Sequence, residues 1–132
     1  MWIRCVVTSL VLLGLTGQGW AQSAKFVTAT FQSAVAATGN GTPLAVDLYT
    51  AVAVQVTITN TATVTFEATS DGTTWVSRSC TSVADLTGAL ATTATASGVY
   101  QCNIAGMQQF RVRVSAYTSG TVTATGRATT AL

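Results

Sequence analysis

The sequence predicts an all-β protein, an antiparallel β-sandwich of about seven or eight strands in a jelly-roll or immunoglobulin-like arrangement. Three observations predict it. Apolar and polar residues alternate with a period of two over Val52–Thr59 and again over Phe110–Tyr117, as in strands with one face in a core and the other in water. Charged residues make up only 8% of the 132, while Thr, Ala, Val, Ser and Gly dominate, a composition suited to strands with small polar outer faces. Turn formers, namely Asn40-Gly41, Asp71-Gly72 and Ser119-Gly120, separate the alternating runs.

Lys25–Phe31 reads as the first strand, and Ala34–Thr42 as a small-residue connection ending at Asn40-Gly41, where both residues tolerate positive φ. Asn40-Gly41-Thr42 also spells a glycosylation sequon, which the turn explains by itself. Leu44, Val46 and Leu48 alternate with Ala45 and Asp47. Val52, Val54, Val56 and Ile58 then face one way, with Ala53, Gln55, Thr57 and Thr59 facing the other. After a break at Asn60-Thr61, Val64, Phe66 and Ala68 oppose Thr65, Glu67 and Thr69. Asp71-Gly72 turns the chain into a hairpin, with Trp75 on the return strand.

Val83–Ser97 has no decisive period and is compatible with a loop, a helical turn at Ala84–Leu86 or a strand at Ala91–Thr95. Gly98–Ile104 resumes a strand and Gly106 marks a turn. Phe110, Val112, Val114 and Ala116 form an inward row against Arg111, Arg113, Ser115 and Tyr117. Thr118-Ser119-Gly120 closes a hairpin into Thr121–Thr129, where Val122, Ala124 and Ala128 supply a lighter apolar face.

Residues 1–21 read as a signal peptide, the alternative being an uncleaved N-terminal strand or anchor, and 22–132 as one sandwich domain. Arg4 supplies the positive start, Cys5–Leu15 the apolar run, and Gly19-Trp20-Ala21 the small residues before cleavage ahead of Gln22. The run is shorter than the roughly 20 residues that span a bilayer, so no membrane span is expected. Removal of Cys5 with the signal leaves Cys80 and Cys102, an even pair in a chain bound for an oxidising compartment. They are the disulfide candidates; the alternative is two free thiols, one in a strand and one in a loop. A bridge closing a loop of this size stabilises a fold by roughly 3 kcal/mol.

The chain has no histidine and four carboxylates scattered along its length, and its serines lie outside any nucleophile-elbow motif, so little is available for catalysis. Two cysteines without histidine make a poor zinc site. Calcium at Asp71 with Asp47 or Asp85 would need six to eight oxygens from dispersed residues, and a plain Asp71-Gly72 turn is the simpler reading. A net charge of +2 without a basic cluster argues against nucleic acid. No cofactor or metal is expected.

Candidate contact residues are Trp75, Arg111, Arg113 and Tyr117. Trp75 and Tyr117 offer flat faces to a sugar ring, or else pack into the fold. Arg111 and Arg113 share one strand face with Glu67 opposite, giving a cross-strand ion pair or a contact with a partner subunit or acidic glycan.

The runs Thr65–Trp75, Ala96–Tyr100, Ile104–Met107 and Arg111–Val122 together resemble a β-sandwich domain of tailed-bacteriophage structural proteins. The resemblance covers roughly the C-terminal half. It implies a virion surface element: capsid decoration, head fibre, or part of a tail or baseplate. More loosely, the run is similar to discoidin-like galactose-binding jelly rolls, in which a Ser-x-Asp-Gly-x-x-Trp hairpin precedes an Arg-containing strand. Neither resemblance brings a catalytic residue.

The expectation is therefore a non-enzymatic structural or display module, on a virion surface or secreted. Its partners would be protein subunits, a homo-oligomer among them, because strand edges poor in Lys and Pro lack the usual guards against pairing. The alternative is a secreted carbohydrate-binding or adhesive module that contacts a surface glycan.

Overall fold

The computed structural model describes residues 25–130, and the expected signal peptide, with Cys5, lies outside them. The described residues form eleven strands and no helix: β1 (Phe26–Val35), β2 (Leu44–Ala45), β3 (Ala51–Ile58), β4 (Thr61–Thr69), β5 (Val76–Ser77), β6 (Cys80–Ser82), β7 (Leu90–Ala91), β8 (Thr93–Ala94), β9 (Gly98–Asn103), β10 (Gln109–Ser119) and β11 (Val122–Thr129). They build two antiparallel sheets, ordered β1-β11-β3-β9-β6-β7 and β2-β10-β4-β5, with β8 on β4 beside β5. The β-sandwich expected from the sequence is the fold observed. The strands beyond the expected seven or eight are two- or three-residue pieces, too short to show a period.

The core lies between the sheets and is built from the alternating rows. Val52, Val54 and Val56 of β3, Val64 and Phe66 of β4, Phe110, Val112 and Val114 of β10, and Val122 and Ala124 of β11 are all buried. Each valine or phenylalanine so placed contributes about 1.5–3 kcal/mol of apolar burial. Phe31 meets Phe110 edge to face, with ring centroids 5.5 Å apart at 74°.

Three findings correct the sequence reading. First, β1 runs on to Val35, past the expected end at Phe31, because bulges at Thr30/Gln32 and Gln32/Val35 interrupt its period. They place consecutive Phe31 and Gln32 both in the interior. Gln32 Nε2 donates to Val112 O at 2.9 Å and Gly39 O at 3.2 Å, so its amide is satisfied there.

Second, β10 carries a bulge between Val114 and Ala116, which exchanges inner and outer faces. Ala116 is exposed rather than inward, and Tyr117 packs on the core. Third, Thr118-Ser119-Gly120 does not close a hairpin, since β10 and β11 belong to different sheets, as do β3 and β4. The two crossings lie side by side: Thr59 N donates to Thr121 O at 3.1 Å and Thr121 N donates to Thr59 Oγ1 at 2.8 Å.

The segment without a period, Val83–Ser97, resolves into a turn and the short strands β7 and β8. Asp85 Oδ1 accepts from Thr87 N and Oγ1 at 2.9 and 2.6 Å, fixing the turn. Among the described residues no helix is long and apolar enough to cross a membrane.

Candidate contact surface on the smaller sheet

The outer face of β4 is unusual for a solvent side, since Thr65, Glu67 and Thr69 are all buried. Their cover comes from the neighbouring strand and from the loop after β4. Register sets Arg111 opposite Glu67 and Arg113 opposite Thr65. Arg111 Nε lies 2.7 Å from Glu67 Oε2, and Arg113 Nε lies 2.9 Å from Oε1. Each carboxylate oxygen thus accepts one charge-assisted bond. With one carboxylate between two guanidinium groups, the cluster keeps one net positive charge. Its exposed end is Arg113, whose side chain is 38% accessible against 14% for Arg111.

Trp75 sits at the end of the loop that leads into β5. Arg111 Cζ is 4.0 Å from its ring centroid, a cation–π contact that holds the half-buried indole on the sheet surface. The layer continues through Thr65, whose Oγ1 donates to Ser115 Oγ at 2.8 Å, and Ser115, whose Oγ donates to Thr63 O at 3.2 Å.

Asp71 organises the loop. Its Oδ1 accepts from Thr74 N at 2.7 Å, Thr73 N at 2.8 Å and Thr69 Oγ1 at 2.9 Å. The backbone bonds from Thr74 and Thr73, then the hydroxyl of Thr69, hold this exposed carboxyl well below the usual carboxylate range. Gly72 takes φ +80°, which a side chain would resist, and its N donates to Thr69 Oγ1 at 3.0 Å. Asp85 is likewise held low by its bonds from Thr87. No group of three or more metal-ligating residues forms among the described residues.

Of the four candidate contact residues, the structure brings Trp75, Arg111 and Arg113 together and separates Tyr117 from them. The Tyr117 hydroxyl donates to Gly120 O at 3.0 Å and the ring packs on the core, a consequence of the β10 bulge. Cys80 and Cys102 are disulfide-bonded between adjacent strands β6 and β9, directly paired with Cα atoms 4.3 Å apart, and both are buried. Sequence reasoning missed Gln32, hidden by the bulges of β1. It also missed Arg78, which joins the two sheets through its Nε, 2.6 Å from Asn103 O.

The comparisons with known proteins agree with this architecture. The fold matches that of the SPBc2 prophage-derived protein YomS, with a TM-score of 0.72 and 20% identity over 80% of this chain and 94% of that one. It also matches the PBSX exported protein XepA, with a TM-score of 0.76 and 19% identity over 82% of this chain. The match takes in only 39% of that XepA chain. No curated protein matches the sequence. At these identities the likeness is one of fold, and the discoidin-like resemblance gains no support from it. The XepA family model matches residues 25–128, nearly the whole of the described sandwich, and the chain therefore belongs to the XepA family.

Proposed function

We propose that the chain is a non-enzymatic display module of a phage-associated assembly, exported or carried on a virion surface, which works by contact with protein subunits. Membership of the XepA family supports the phage association, as do relatives described as prophage-derived and as exported. The observation that carries the contact role is the shared carboxylate of Glu67. It fixes Arg111 and Arg113 in place and leaves a singly positive patch beside Trp75. A rigid patch of arginine and tryptophan suits a subunit interface, where both residue types are enriched and little side-chain entropy is left to lose. Arg111 over the indole favours a protein partner on this patch over sugar stacking, because it already occupies a face of the ring.

The test is the molar mass of the full chain by light scattering, alongside the Arg113→Glu variant. The expected result is a stable oligomer that dissociates in the variant while its circular dichroism is unchanged. A wild-type protein that is monomeric at all concentrations would refute the reading. Intact-mass spectrometry of protein from its native source checks export: the expected chain starts at Gln22 and is lighter by two hydrogens before reduction.

A further inference from the structure

Where the chain leaves the smaller sheet after β5 and joins the larger one at β6, a groove runs along the side of the sandwich. Ser77, Arg78, Ser79, Leu90 and Asn103 line one part of it, and Ser79, Leu90, Gln101 and Asn103 line the next. The three shared residues make the two parts continuous.

Arg78 is held at two points. Its backbone N donates to Phe66 O at 2.7 Å and its Nε donates to Asn103 O at 2.6 Å. A guanidinium has five N–H donors, so most of its capacity is left over. No carboxylate answers its charge among the described residues. Glu67 is engaged by Arg111 and Arg113, the carboxylates of Asp71 and Asp85 are taken up by their own turns, and Asp47 forms no ion pair with Arg78.

The polar side chains around Arg78 are also uncommitted. The hydroxyls of Ser77 and Ser79 and the amide of Gln101 make no hydrogen bond to other described residues. Asn103 uses Oδ1 to accept from Ala105 N at 3.0 Å, which leaves its amide N–H donors. Leu90, 70% exposed, adds an apolar surface to the same groove.

An oriented guanidinium without a counter-charge matches the planar anion of a carboxylate or phosphate. Hydroxyl and amide groups beside it match sugar hydroxyls, and a leucine side chain covers the apolar C–H face of a pyranose. We propose that this groove binds a saccharide bearing a carboxylate or a phosphate, with Arg78 on the anion. The site adjoins the Glu67 patch, since Ser77 pairs with Glu67 between β5 and β4, but Arg78 takes no part in that patch and the proposal does not depend on the function proposed for it.

The experiment is a titration of the full chain followed by amide NMR shifts, with three probes: trigalacturonate, glucose 6-phosphate and, as the neutral control, maltotriose. A charged probe is expected to shift the amides of Ser77–Ser79 and Gln101–Asn103. Arg78→Gln should weaken that binding about tenfold or more, in keeping with the loss of a charge-assisted contact. A response to trigalacturonate assigns the anion as carboxylate, and a response to glucose 6-phosphate assigns it as phosphate. The proposal is overturned if neither charged probe responds, if maltotriose binds equally well, or if the shifts centre on Trp75 and Arg113 and leave Gln101–Asn103 unmoved. Should Arg78→Gln fail to fold, Ser79→Ala and Leu90→Ala carry the test. Each is expected to weaken binding severalfold, and unchanged affinity in both sinks the site.

Discussion

Asp71 shows how one side chain can hold a loop on the sheet below it. Its carboxylate gathers the N–H groups of Thr73 and Thr74 and the hydroxyl of Thr69, so the folded state favours the ionised form. The bonds lower the folded pKa below the unfolded value near 3.9, and the stability they add is present above that value and lost as pH falls through the folded one. The urea midpoint of the wild type is therefore expected to decline below about pH 4. Asp71→Asn should show a shallower decline over the same interval, the remainder reflecting groups such as Asp85. Equal slopes for the two proteins would show that the Asp71 carboxylate does not contribute. The residue type and its glycine neighbour were enough to read a turn from the sequence. The identities of the three donors were not legible, because they depend on how the loop folds back over Thr69.

At the scale of elements, alternation was a reliable guide wherever the ladder is unbroken. The rows of β3, β4 and the first half of β10 lie on the faces their periods indicate. It misled after each bulge, because one extra residue exchanges the two faces and nothing in Val114-Ser115-Ala116 marks the insertion. That exchange took Tyr117 away from the surface patch. A second feature hidden from the sequence is the pairing of Gly126 with Phe31. Gly126 faces the core from β11, and an added Cβ would strike the Phe31 ring. Gly126→Ala is accordingly expected to cost about 1–3 kcal/mol in urea denaturation, as overpacking does. Adding Phe31→Leu should bring a smaller further loss than it causes alone, because the shorter side chain vacates the contested space. A double mutant with additive losses would show that the two positions do not share that space.

At the scale of the whole molecule, the sequence indicated two sheets but not which strands belong to which. The reason lies in the connections: β3 to β4 and β10 to β11 look like hairpins locally, yet both change sheet. Between β4 and β9 the chain passes repeatedly from sheet to sheet through short strands whose pairing depends on distant partners. The disulfide secures this region by tying β6 to the longer β9. Breaking it is expected to cost roughly 3 kcal/mol, read as a lower urea midpoint of the reduced protein against the oxidised one. Because both sulfurs belong to buried residues, reductant alone should leave the bond intact until denaturant is added. Rapid reduction under native conditions would mean that the β6–β9 region opens on its own.

The pairing of Phe26 with Thr129 places the beginning and the end of the sandwich at one corner, on neighbouring antiparallel strands. Anything attached ahead of β1 and beyond β11 leaves the domain from that corner, so the sandwich would hang to the side of a longer assembly and not form a link in its axis. Tension applied through both attachments would open the β1–β11 ladder rung by rung, like a zipper, and would not load all its hydrogen bonds together. Such a module yields at low force when pulled by its own ends and resists better when pulled through its faces.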